Sequence, residues 1–215
     1  MAFVAVVGWL LLPGVVSAHP HGWVDLRVRV VFDDQGRVEA LRQSWRMDPF
    51  YSLVVLEGLG SLDDGSSMAE RLDQLGAEIR ANLEGQHFFT ELIHGGAALA
   101  LGEVTEYTTL IVGKRLEFSF VLPLAEPLAL NGTPLRYKIF DPSYYIEVVH
   151  KAEDGAPSPA ALSLSDAPNH CDTQIVMADP DPAKVMQAAM LDRDESGEDG
   201  LGRFFAETGV VACES

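Results

Sequence analysis

The alternation of residues 23 to 32 sets the first limit on what this chain can become. Val24, Leu26, Val28 and Val30 fall on one side, and Trp23, Asp25, Arg27 and Arg29 on the other. A period of two is the mark of a half-buried β-strand. Asp33-Asp34-Gln35-Gly36 follows as a turn and Val38 to Trp45 resumes as a second strand, so the pattern predicts a β-hairpin. Further strands are predicted at 87 to 94, 97 to 112, 115 to 123, 134 to 140, 144 to 150 and 171 to 177, with Asn131-Gly132 as a hairpin turn.

Helical signals interrupt the strands at three places. Asp48 caps a helix that opens on Pro49, for which Phe50, Leu53, Val54 and Leu56 are the expected buried side and Gly58 and Gly60 the stop. Ser67-Met68-Ala69-Glu70 is a capping box, and Met68, Leu72, Leu75, Ile79 and Leu83 recur at helical spacing behind it. Asp181 and Pro182 open a shorter helix through Leu191. Residues 152 to 169, rich in Ala, Ser, Pro, Asp and Gly, read as a long loop. The fold class expected is α+β: an antiparallel sheet or sandwich built from hairpins, with two or three helices packed on it.

Residues 2 to 18 carry no charge and end in Val16-Ser17-Ala18, a stretch short for a bilayer span and shaped for signal peptidase. The chain is therefore expected to divide into a signal peptide, 1 to 18, and a single periplasmic domain, 19 to 215. With 32 Asp and Glu against 15 Lys and Arg, the formal net charge is −17. A monopole of that sign disfavours nucleic acid and anionic membrane surfaces. Cys171 and Cys213, the two cysteines, are expected to form a disulfide in an oxidising compartment.

Cleavage after Ala18 makes His19 the first residue of His19-Pro20-His21-Gly22-Trp23-Val24-Asp25. The α-amine and ring Nδ1 of an N-terminal histidine grip one metal ion together, and His21 adds a second imidazole. Pro20 has no amide hydrogen to lose, which excludes the square-planar mode that uses a deprotonated second amide. Asp25 and Asp141 are the candidate carboxylates, as ligands or as acceptors that orient an imidazole; Asp141 also reads as a turn residue before Pro142. Imidazole nitrogen suits zinc, nickel, cobalt and copper alike. Two other readings stand beside this one. One is a copper enzyme with an N-terminal histidine, which needs His94 or His150 brought close; the other is a structural or interaction domain with no metal. The acidic stretch Asp192 to Gly200 imitates a calcium loop, but Arg203 stands where the bidentate glutamate belongs. Neither a nucleotide-binding loop nor a Ser-His-Asp order is present.

Several motifs recur together: the His19 to Asp25 run, Trp45-Arg46-Met47-Asp48-Pro49-Phe50-Tyr51-Ser52, Leu116-Glu117-Phe118-Ser119-Phe120, Phe140-Asp141-Pro142-Ser143-Tyr144-Tyr145-Ile146, and the late cysteine pair with Gly200-Leu201-Gly202 between. In this order the chain resembles the bacterial DUF1007 family, described as a periplasmic component related to an ABC-type transport system. The resemblance implies a substrate-binding or accessory protein of transition-metal transport, with an inner-membrane metal transporter or permease as its partner.

Overall fold

The computed structural model describes residues 20–192 and 195–214. His19, the expected signal peptide and part of the acidic stretch after Asp192 lie outside the described residues. Strands β1 (Gly22–Phe32) and β2 (Val38–Met47) form the expected hairpin. Val24, Leu26, Val28, Val30 and Phe32 are each at most 3% exposed, so the period-two pattern separates core from surface as its chemistry requires. Gly36 closes the turn at a φ of +72°, where a side chain is disfavoured.

Helix α1 (Pro49–Gly60) starts where expected, with Asp48 Oδ1 accepting from the amides of Phe50 and Tyr51. Its burial differs from expectation. Phe50, Leu53 and Val54 are 75%, 52% and 53% exposed, and the buried residue of the helix is Ser52. The amide of Leu116 donates to Ser52 Oγ, which itself donates to the Met47 carbonyl, so the polar contacts of Ser52 rather than an apolar stripe seat α1 on the sheet. Helix α2 (Met68–Glu84) has the full capping box, with Ser67 Oγ accepting from the Glu70 amide and the Glu70 carboxylate accepting from the Ser67 amide. Its buried side centres on Leu72 and Gly76, and a Cβ at Gly76 would come within 2.5 Å of Thr109 Oγ1.

Beyond a single 3-10 turn at His87–Phe89 come β3 (Thr90–His94), β4 (Ala97–Ala98), β5 (Tyr107–Val112), β6 (Arg115–Leu128), β7 (Leu135–Ile139) and β8 (Ile146–His150). The segment expected as a long loop holds the small hairpin β9 (Ala152–Glu153) and β10 (Ala156–Pro157) and then strand β11 (Leu162–Ser165). Leu162-Ser163-Leu164-Ser165 does alternate, but the Ala, Ser, Pro and Asp on either side mask so short a run, and its parallel pairing with β1 establishes it as a strand. Strand β12 (Cys171–Val176), helices α3 (Pro182–Ala189) and α4 (Gly202–Phe205), and β13 (Thr208–Cys213) complete the chain.

The larger sheet runs β11–β1–β2–β6–β5, with β8 also paired to β1; the smaller runs β12–β13–β7–β3–β4. β8 and β11 join β1 in parallel, one behind the other, with Leu26 opposite His150 and Val28 opposite Leu162. The remaining named pairs of both sheets are antiparallel, and the α+β sandwich expectation holds. Trp45, Phe118 and Phe120 from the larger sheet meet Leu92, Leu135, Tyr137 and Val211 from the smaller in one core. Each fully buried side chain of this size contributes about 2–3 kcal/mol.

Candidate functional site

The first half of β1 organises two neighbourhoods, one at its start and one inside the sandwich. At the start, the amide of His21 donates to the Tyr145 carbonyl at 3.0 Å, and its ring stacks on Tyr145 with centroids 4.5 Å apart. Tyr145 is placed by Asp141. Asp141 Oδ1 accepts from the Ser143 amide and hydroxyl, at 2.9 and 2.8 Å, and Oδ2 accepts from the amides of Tyr145 and Ile146, at 3.1 and 3.0 Å. The turn also holds Tyr144 at a φ of +56°, a conformation a bulky residue adopts at a cost, and stacks its ring on Phe205 at 4.1 Å. His21 and Asp141 are thus brought into one locality, with the Tyr145 ring and backbone between them.

Asp25 stands apart from them. Its carboxylate forms an ion pair with Arg115, whose Nη2 also donates to the Arg46 carbonyl at 3.0 Å. Both candidate carboxylates therefore have partners already: Asp141 is saturated by the turn it builds, and Asp25 is neutralised by a guanidinium. Among the described residues, no group of three or more His, Cys, Asp or Glu is clustered to hold a metal ion. At this end the described groups are the His21 ring and, beneath it, the turn that Asp141 builds around Tyr145. Asp48 borders the same strand: a Cβ at Gly22 would lie 2.7 Å from Asp48 Oδ2, so a side chain there would have to displace that carboxylate.

The second neighbourhood was not legible as a set in the sequence. His150 lies inside the sandwich, where Nε2 shares a 2.7 Å hydrogen bond with Tyr137 Oη and Nδ1 a 2.7 Å hydrogen bond with Glu207 Oε2. The same Glu207 oxygen accepts the His150 amide at 2.7 Å. Tyr137, His150 and Glu207 are 1%, 2% and 6% exposed. A carboxylate can only accept, so Nδ1 carries the proton and Nε2 of a neutral ring is left to accept from Tyr137. Burial, and then the Glu207 charge, push the Tyr137 hydroxyl well above its ordinary range, which keeps its proton on. The order resembles a catalytic relay, but no substrate reaches groups this deep. Its place in the fold is a latch that joins β7 and the β13 entry to β8. The one sequence signal was parity, since His150 falls on the buried side of β8 with Val148.

These positions also separate His150 from the N-terminal chelate. His150 pairs with Leu26, five residues along β1 from His21, which is about 16 Å of strand. His94, on β3 of the smaller sheet, directs Nε2 to the Leu130 carbonyl at 3.2 Å. Neither supplies the further histidine an oxidative copper centre needs beside His21.

Between the two neighbourhoods sits Glu147, whose carboxyl is pushed above the usual range by burial and then by the Glu207 charge. Burial and then Glu147 push the Tyr144 hydroxyl up to about 12. The cavity lined by Asp141, Tyr144, Glu147, Gly202 and Phe205 is about 10 Å³, room for about one water and no ligand.

The cysteines expected to pair do so: Cys171 and Cys213 face each other across β12 and β13 and form a disulfide. None of the described helices is long and apolar enough to cross a membrane. Two sheets over one apolar core, tied by a disulfide, define a small α+β sandwich suited to an oxidising compartment. The profile of the family described as "Protein of unknown function (DUF1007)" matches residues 4–213, and the chain belongs to that family. An uncharacterised protein of Haemophilus influenzae is 22% identical over 202 residues, 93% of each chain. No solved structure matches.

Proposed function

We propose that this protein is a periplasmic transition-metal-binding protein that passes its ion to an inner-membrane transporter. The observation that carries this reading is the seating of His21. Its ring rests on Tyr145 and its backbone on the Tyr145 carbonyl, directly after the point at which signal cleavage would leave His19 as the amino terminus. A chelate through the His19 amine and ring, completed by the His21 imidazole, asks nothing of the Pro20 nitrogen. Asp141 contributes by fixing the Tyr145 platform, while Asp25 and Arg115 hold the outer face of the strand. Zinc, nickel, cobalt and copper compete for such nitrogen donors in the Irving–Williams order, and the ion that is delivered is set by supply.

Intact-mass analysis of the exported protein tests the first half of the proposal, with a chain starting at His19 as the expected mass. Calorimetric titration of that sample with zinc, nickel and copper tests the second, beside a His19→Ala, His21→Ala variant. The expected result is binding in the parent and at least tenfold weaker binding in the variant, at an unchanged unfolding midpoint. Equal binding by both forms, or a start elsewhere, removes the N-terminal site.

A further inference from the structure

Helix α1 combines the composition of a buried element with the exposure of a surface one. Apart from Glu57 it carries no charge, and its apolar side chains lie all around the axis; helices of that kind belong in a core or against a membrane. Phe50, Tyr51, Leu53 and Val54 are 75%, 46%, 52% and 53% exposed, and Leu62 just beyond the helix is 48% exposed. Contiguous apolar surface of this sort marks an interaction site.

The charges beside it indicate what it meets. On the outer side of the larger sheet, Asp25, Arg46 and Glu117 form one row across β1, β2 and β6, Arg27, Ser44 and Ser119 the next, and Arg29, Arg42 and Val121 the third. With Lys114 and Arg115 at the β5–β6 turn, this region holds Arg27, Arg29, Arg42, Arg46, Lys114 and Arg115, six of the chain's 15 Lys and Arg. Asp25, Glu117 and Glu106 offset part of that charge by pairing with Arg115, Arg27 and Arg42. Arg29 and Lys114 are exposed. The region adjoins α1 directly: Arg115 donates to the carbonyl of Met47, the last residue of β2, and the next residue, Leu116, donates to Ser52 in the helix. Trp23 is 42% exposed, and its carbonyl accepts the amide of the Asp48 cap.

We infer that α1 and the cationic outer side of the larger sheet dock the protein on an anionic phospholipid surface. The apolar side chains of α1 enter the boundary between headgroups and acyl chains, Trp23 sits at headgroup level, and Lys114, Arg46 and Arg29 face the lipid phosphates. The net charge of −17 does not forbid this. Screening in physiological salt acts over about 8 Å, so a bilayer against this side responds to the local cations while the carboxylates elsewhere are screened from it. Peripheral attachment of this type needs two signals, an apolar insertion and a basic patch, and both adjoin at one end of the sheet. The inference is independent of the metal reading.

The exported full-length protein is tested by co-sedimentation with vesicles of phosphatidylglycerol and phosphatidylethanolamine, and with vesicles of phosphatidylcholine. The expected result is pelleting with the anionic vesicles, a blue shift of tryptophan emission, and weakening at high salt. Leu53→Asp, Val54→Asp is expected to lower partitioning more than tenfold, and Arg29→Glu, Arg42→Glu by about fivefold or more per reversed charge. Leu53 and Val54 are half-exposed, so that variant should keep its fold, as far-ultraviolet circular dichroism checks; the arginine variant provides the second arm. Failure of the parent to pellet with anionic vesicles, or pelleting that neither variant reduces, overturns the inference. A parent that does not pellet but dimerises in sedimentation velocity, with dimerisation lost in Leu53→Asp, Val54→Asp, assigns α1 to a second copy instead.

Discussion

The two ends of the β1–β8 pairing treat histidine in opposite ways. At Leu26, His150 is enclosed on every side, with a carboxylate on Nδ1, a phenol on Nε2 and a core around both. At the start of β1, His21 is half-buried and lies flat against one aromatic ring at the rim of the sheet. The same side chain is a rivet in one place and a candidate ligand in the other. A carboxylate and a phenol on its two ring nitrogens use up the donor and acceptor capacity of His150, whereas His21 is seated at the rim by its backbone amide and by stacking on Tyr145.

That contrast breaks most clearly at Glu207. Glu207→Ala leaves the His150 amide and Nδ1 inside the sandwich without an acceptor, and chemical denaturation should show a loss of roughly 2–5 kcal/mol, about 1–3 for each donor left unsatisfied. Metal titration of the still-folded fraction should match the parent, because the latch and the rim are separate; altered metal affinity would show that they are one site. Next in size, Asp141→Ala removes four hydrogen bonds from the turn that carries Tyr145. The expected cost is about 1–3 kcal/mol, accompanied here by weaker metal binding as the His21 platform loosens. Lost stability with unchanged metal binding would confine Asp141 to the turn.

Glu147, between the two neighbourhoods, gives the smallest effect and a pH signature. Its folded carboxyl titrates above the reference of 4.5, so between the two values the native state holds more protons than the unfolded chain and stability falls as pH rises. Its favourable contribution is complete below the unfolded value and is lost as pH climbs through the folded one. Glu147→Gln should therefore raise the thermal midpoint near pH 7.5 and leave it nearly unchanged near pH 4. An equal shift at both pH values would remove the buried charge as the cause.

The helices show where local reading succeeds and where it stops. In α2 the capping box and the apolar stripe are legible over a few residues, and both appear in the structure. In α1 the Asp48 cap is just as legible, but the expected buried side is not buried. Apolar composition states what a helix face prefers to meet, and only the rest of the molecule decides whether anything is placed there. The candidate site divides in the same way. His19 and His21 stand out by their position after an apolar leader, and Asp141 by its place before Pro142, whereas Tyr145 has no distinguishing spacing and enters only because β8 pairs with β1.

What the sequence by itself determined is therefore the set of short-range features: the β1–β2 hairpin, the capped starts of α1, α2 and α3, and the available disulfide pair. Period and capping act between residues at most a few positions apart, and that range is written in order along the chain. The tertiary structure alone decided the parallel seating of β8 and β11, the meeting of His150 with Glu207 across 57 positions, the exposure of α1 and the gathering of arginines on one side of the sheet. Such contacts depend on which surfaces the sandwich brings together, and nothing in the local pattern of either partner records the other.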